Sequence, residues 1–151
     1  MEEKQPYEIL KHVKLQHTEV FLRSDGIIHF KYGDHVHYTM DEARELEDVV
    51  KDITNDVAHR SLRVTGKYSS TDIEIMRYLS KGRGALFTLA DAFVLHSSPQ
   101  RILANFYMKI QRPYVPTAFF ETVEEAETWL KSLNQADLEE MNRKNKLRIK
   151  E

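Results

Sequence analysis

The sequence predicts an α/β fold: a mixed sheet with an N-terminal antiparallel hairpin, mostly parallel core strands, and four helices plus a C-terminal extension. Three observations lead there. Asp25-Gly26 lies between two β-prone runs, Leu15 to Arg23 and Ile27 to Tyr32, and an Asp-Gly pair supplies the positive φ that a tight hairpin turn needs. Threonine followed three residues later by glutamate recurs before helix-periodic runs, at Thr39–Glu42, Thr71–Glu74 and Thr122–Glu125, the pattern of a capping box. The stretch from Ala90 to Leu130 spells strand, helix, strand, helix, and Ala90 to Leu95 is apolar except for Asp91, as in a parallel strand covered on both faces.

The 151 residues, 41% hydrophobic and 30% charged, suit one domain with a sizeable core. Its expected divisions are an N-terminal arm over 1–13, the domain over 14–133, and a polar, partly basic extension over 134–151. The absence of cysteine excludes disulfides, thiolate catalysis and cysteine-bound zinc. No run of about 18 apolar residues occurs, so no transmembrane segment is expected. With no signal-like N-terminus, the expected location is cytoplasmic. The 22 basic and 24 acidic residues leave a formal net charge of −2, which argues against DNA as a partner.

In chain order, Ile28, Phe30 and Tyr32 alternate with His29 and Lys31, predicting one inward and one wettable face. His35 to Tyr38 suggests a short third strand. Ala43, Leu46, Val50, Ile53 and Val57 then recur at helical spacing, giving a helix of about four turns over one sheet face. Arg60 to Thr65 reads as a strand, and Ile73, Ile75, Met76 and Leu79 as a helix capped by Thr71 and closed by Gly82 in a left-handed C-cap. Ser98-Pro99 reads as an N-cap followed by proline at the first helical position. The helix after it carries Ile102, Leu103, Phe106, Tyr107 and Ile110 in one stripe about 140° wide, taken as its core face. Thr117 to Glu121 returns as a strand, and a last helix carries Val123, Ala126, Trp129, Leu130 and Leu133. Beyond Asn134 the sequence turns polar, suggesting a frayed helix or mobile tail.

This order, and in particular SDGIIHFKY (Ser24 to Tyr32), ADAFVLHSSPQRILANFYMKI (Ala90 to Ile110) and PTAFFETVEEAETWL (Pro116 to Leu130), resembles the STAS domain, the SpoIIAA-like fold of bacterial anti-sigma-factor antagonists. It looks closest to small stand-alone bacterial STAS/SEC14-type proteins. The resemblance implies a non-enzymatic regulatory module that engages a protein partner. By position it implies phosphoacceptor candidates at Ser69, Ser70 and Thr71, although GKYSSTDIE departs from the aspartate-serine-serine-glycine motif of the better-known antagonists. The alternative it implies is a SEC14-like binder of a small ligand, a lipid or a nucleotide, with Arg101 and Phe106 near the pocket.

Independently of family, helix N-termini following parallel strands gather at one sheet edge and favour anions. Ser97, Ser98 and Arg101 are therefore candidates for an anion-binding or partner-binding edge, beside Ser69 to Thr71. His96-Ser97-Ser98 lacks the GxSxG context of a hydrolase, so no catalytic residue is assigned. His35 and His37, with His29 across the hairpin, lack a carboxylate cluster, so no metal and no cofactor is expected. A homo-oligomer is left open.

Overall fold

The computed structural model describes residues 6–149. The chain runs through β1 (Ile9–Lys14), β2 (Thr18–Arg23), β3 (Ile27–Tyr32), β4 (His37–Tyr38) and α1 (Met40–Thr54). It continues through β5 (His59–Val64), β6 (Ser70–Thr71), α2 (Ile73–Lys81), a 3-10 turn at Arg83–Phe87, β7 (Thr88–Val94) and α3 (Ser98–Gln111). It closes with β8 (Thr117–Phe120), α4 (Val123–Ser132) and α5 (Gln135–Arg148). Six strands form one sheet in the order β1-β2-β3-β5-β7-β8, and β4 and β6 form a separate pair. The first three strands are antiparallel and the remaining contacts parallel.

Gly26 takes φ +83 in the hairpin turn, where a side chain would be strained. That turn sets the register Val20↔Phe30 and Leu22↔Ile28. One sheet face then carries the row Val20, Phe30, Arg63, Phe93, Phe119, with Val50 and Ile53 of α1 packed on its left end. Helices α2 and α3 cover the same face, Tyr107 of α3 meeting Phe93 and Phe119 edge-on. The opposite face carries Ile27, Leu62, Ala90 and Ala92 beneath Ala126 and Leu130 of α4 and Leu138 of α5.

Several local expectations are corrected. Asn55 adopts φ +54 and ends α1, so Val57 falls past the helix and is exposed. Asp72, not Thr71, occupies the N-cap of α2, because Thr71 is drawn into β6 against Tyr38. Gly82 is extended at φ −97 rather than left-handed; glycine is needed because a Cβ there would lie 2.9 Å from the Tyr78 Cα. Ser97 caps α3 by accepting from the Gln100 N–H, so Pro99 takes the second helical position. His29 is buried instead of wet.

Helix α3 departs furthest from expectation: Ala104, Tyr107 and Gln111 face inward, while Ile102, Leu103, Phe106 and Ile110 are exposed. The small Ala104 and the Tyr107 ring let the helix seat on the Phe93–Phe119 stack, and the aliphatic part of the stripe rotates outward. At the chain ends, Ile9–Lys14 pairs with β2 as an edge strand, so the sheet takes in residues 9–13 of the expected arm. The extension is a docked helix: Leu138 is buried, and the Asn142 and Asn145 amides donate to the carbonyls of Leu86 and Tyr114, each at 3.1 Å.

Candidate functional site

The segment from Thr65 to Asp72 is clasped to the end of the hairpin. Gly66 crosses Gly33 so closely that a Cβ on Gly66 would sit 1.9 Å from the Gly33 carbonyl oxygen. The His35 amide donates to the Lys67 carbonyl at 2.8 Å, the Lys67 amide to Asp34 Oδ1 at 2.7 Å, and the Ser70 amide to the Val36 carbonyl at 3.0 Å. His35 and Tyr68 both take φ +57, and their rings stack at 5.1 Å.

Within this clasp the three hydroxyl residues have different surroundings. Ser69 Oγ donates to the Gly66 carbonyl, and Ser69 and Thr71 line an internal cavity. Ser70 is exposed, its Oγ 2.7 Å from His37 Nδ1, and His37 Nε2 is 2.8 Å from Asp72 Oδ1. A carboxylate only accepts, so in neutral His37 Nε2 carries the hydrogen and Nδ1 accepts from the Ser70 hydroxyl. The connectivity is that of a nucleophile, a base and an orienting carboxylate, but His37 and Asp72 are half-exposed, outside the dry setting that strengthens such a relay.

The second turn reaches the same edge through a residue that sequence reasoning passed over. Gln100 Oε1 accepts from Thr65 Oγ1 at 3.1 Å and from the His96 amide at 2.8 Å, while Nε2 donates to the Gly66 carbonyl at 2.9 Å. Ser97 is engaged as a cap, Ser98 is exposed, and Arg101 is paired with Glu121. Among the described residues no three potential metal ligands cluster. His35 is stacked on Tyr68 and His37 is engaged with Ser70 and Asp72.

Beneath the clasp, between the sheet and α1 and α2, lies a cavity of about 140 Å³ lined by Phe30, Leu46, Val50, Ile75, Leu79 and Phe87. Arg63, 5% exposed, lines it together with the polar side chains of Tyr38, Glu42, Glu47, Ser69 and Thr71. Arg63 Nε donates to Asp91 Oδ1 at 2.7 Å and Nη1 to the Tyr32 hydroxyl at 2.8 Å. The guanidinium carbon stands 4.7 Å from the Phe30 ring centre. Nη2 has no hydrogen-bond partner among the described residues, and neither does Asp91 Oδ2. Burial drives the Asp91 carboxyl upward against the pull of Arg63. Burial also works to lower Arg63, but Asp91 and Tyr32 outweigh it and hold the guanidinium charged. The sequence signal was Asp91 itself, the one polar residue in an apolar run.

The opposite face holds a second buried arginine. Arg23, 1% exposed, reaches Asp25 at 2.6 Å and Glu127 at 2.7 Å, and its guanidinium lies 3.5 Å from the Tyr7 ring centre. It ties the hairpin to α4. Beside it, burial first and the Arg23 and Lys31 charges next lower His29 from 6.5 to about 4.

The antiparallel hairpin leading into a parallel sheet, with helices on both faces, defines the SpoIIAA-like, or STAS, class of fold. An uncharacterized protein of the DUF3478 family from Shewanella loihica PV-4, with a SpoIIAA-like fold, matches this chain with a TM-score of 0.50 at 12% identity, covering 86% of this chain and 99% of that one. The chain belongs to the family described as Domain of unknown function (DUF7793), whose model matches residues 21–134. No curated protein matches it.

Proposed function

We propose that the protein is a non-enzymatic regulatory module of STAS type, which engages a protein partner through the Thr65–Asp72 clasp and the start of α2, and that Ser70 is its phosphoacceptor. The observation that carries this reading is the Ser70–His37–Asp72 chain: of the three hydroxyl candidates, Ser70 is the exposed one, and its proton is already directed at a base. A phosphate there adds nearly two negative charges just ahead of a helix N-terminus. The phosphate would stand beside His37 Nδ1, which accepts from the Ser70 hydroxyl in the unmodified chain, so the Ser70–His37 bond is lost or reversed and the surface offered to a partner changes.

Phosphosite mapping of protein from native cells should locate phosphate on Ser70. Partner capture should differ between Ser70→Ala and Ser70→Asp. Unmodified Ser70 in native protein, together with equal capture by both variants, defeats the proposal.

A second reading, a small-ligand binder, is favoured by the Arg63 cavity. At about 140 Å³ it falls below the roughly 300 Å³ of ordinary ligand pockets, so it suits a fragment-sized molecule with an apolar body and a hydrogen-bond acceptor for Nη2, rather than a whole lipid or nucleotide. Native mass spectrometry of gently purified protein tests it. A retained small molecule lost in Leu46→Trp supports this reading, and a clean apo spectrum removes it.

A further inference from the structure

Helix α3 presents an apolar face that nothing among the described residues covers. Ile102, Leu103, Phe106 and Ile110 are 71%, 41%, 45% and 57% exposed, and their spacing of three, four and seven joins them into one stripe. Such a stripe on a folded domain marks a binding surface. Charge decides what it binds.

From Ser98 to Gln111 the helix contains no acidic residue, while Arg101 and Lys109 lie on it and Arg112 caps its end. At that same end Tyr114 is flanked by Lys81 from α2, its Nζ 5.5 Å from the ring centre, and by Arg148 from α5 at 4.0 Å. Cations from three helices thus collect at one end of the apolar stripe. The chain as a whole is net −2, so this basic end is local. At the opposite end Arg101 is paired with Glu121.

An apolar ridge bordered by cations matches a bilayer bearing anionic headgroups: acyl chains take the aliphatic and phenyl side chains, and headgroup phosphates take the ammonium and guanidinium groups. We infer that α3 is a peripheral membrane-docking helix, lying flat on an anionic lipid surface with Ile102, Leu103, Phe106 and Ile110 immersed and Lys109, Arg112, Lys81 and Arg148 at headgroup level. Fourteen residues span about 21 Å, and among the described residues no helix is long and apolar enough to cross a membrane, so the helix rests on the surface. Docking this way leaves Ser70 in its clasp with His37, which belongs to other elements of the fold.

The test is flotation of the full chain with vesicles of phosphatidylcholine alone and of phosphatidylcholine with one quarter phosphatidylglycerol. The expected result is co-flotation with the anionic vesicles at low salt, weakened by about tenfold or more in 0.5 M NaCl. Lys109→Glu with Arg112→Glu should weaken it similarly, and Phe106→Ser with Ile110→Ser should abolish it. Far-UV circular dichroism and the thermal midpoint confirm that each variant is folded; the charge-reversal pair leaves the apolar stripe intact and tests the inference by itself. No flotation at low salt, or equal binding to both vesicle types, overturns it. So does a dimer in sedimentation equilibrium that Phe106→Ser converts to monomer, because a second copy would then cover the face.

Discussion

Under α4 and α5 the sheet is sealed: Ala126 and Leu130 are fully buried, and Arg23 is held by two carboxylates with the Tyr7 ring laid over it. Under α1, α2 and α3 the covering is incomplete. A cavity remains, Arg63 shares one carboxylate and a phenol and keeps one nitrogen without a partner, and α3 turns its aliphatic residues outward. Each arginine keeps one nitrogen without a hydrogen-bond partner among the described residues, Nη1 on Arg23 and Nη2 on Arg63. What separates them is space: Arg63 lines the cavity, whereas Arg23 is closed in by Asp25, Glu127 and the Tyr7 ring.

The largest effect expected from this contrast comes from Asp91→Ala, which strands Arg63 as a buried unpaired charge and should cost about 3–5 kcal/mol in urea unfolding. Glu127→Gln should cost clearly less, because Arg23 retains Asp25; equal losses would erase the distinction between the two arginines. Next, Leu130→Ala on the sealed face should cost about 2–5 kcal/mol, and Leu46→Ala beside the cavity should fall below it in the same assay.

His29 supplies a pH test of the sealed face. Its folded pKa of about 4 lies below the ordinary 6.5, so between those values the unfolded chain binds a proton that the native chain refuses. Stability should therefore be whole above pH 6.5 and decline as pH falls to 4, by up to about 3 kcal/mol, with nothing further from this group below that. The difference between wild type and His29→Leu across a pH series isolates this slope, and parallel curves would show that His29 is not shielded. The smallest effect belongs to α3: Phe106→Ser, at an exposed position, should shift folding stability by no more than about 0.5 kcal/mol. A large loss there, measured by the same unfolding curves, would mean that the face is covered in the monomer.

Signals confined to a few residues were the legible ones. Asp25-Gly26 makes its hairpin from local φ preference, and the Thr39 and Thr122 hydroxyls cap their helices by accepting from the Glu42 and Glu125 amides, while the Glu42 carboxylate turns to His17 and that of Glu125 accepts from the Thr122 hydroxyl. Thr71 failed as a cap because Tyr38, distant in sequence, pairs with it. For α3, periodicity showed that an apolar arc exists; only the stacked Phe93 and Phe119 rings decide which part of the helix faces the sheet. The Arg63–Asp91 pair depends on parallel register across strands 28 residues apart, and the Ser70–His37–Asp72 chain on the joining of β4 to β6. The extension looked loose because its anchors are asparagine amides on the Leu86 and Tyr114 carbonyls, which leave no trace in a hydrophobic pattern.

The crossing of Gly66 over Gly33 also sets a clock. The amides of His35 and Ser70 are bonded across it, to the carbonyls of Lys67 and Val36, so their hydrogens exchange with solvent only when the clasp lifts. The Asp91 amide, bonded to the Pro116 carbonyl within the sheet, waits for a far larger opening. The ratio of these exchange rates measures how often the Ser70 segment comes free without the domain unfolding.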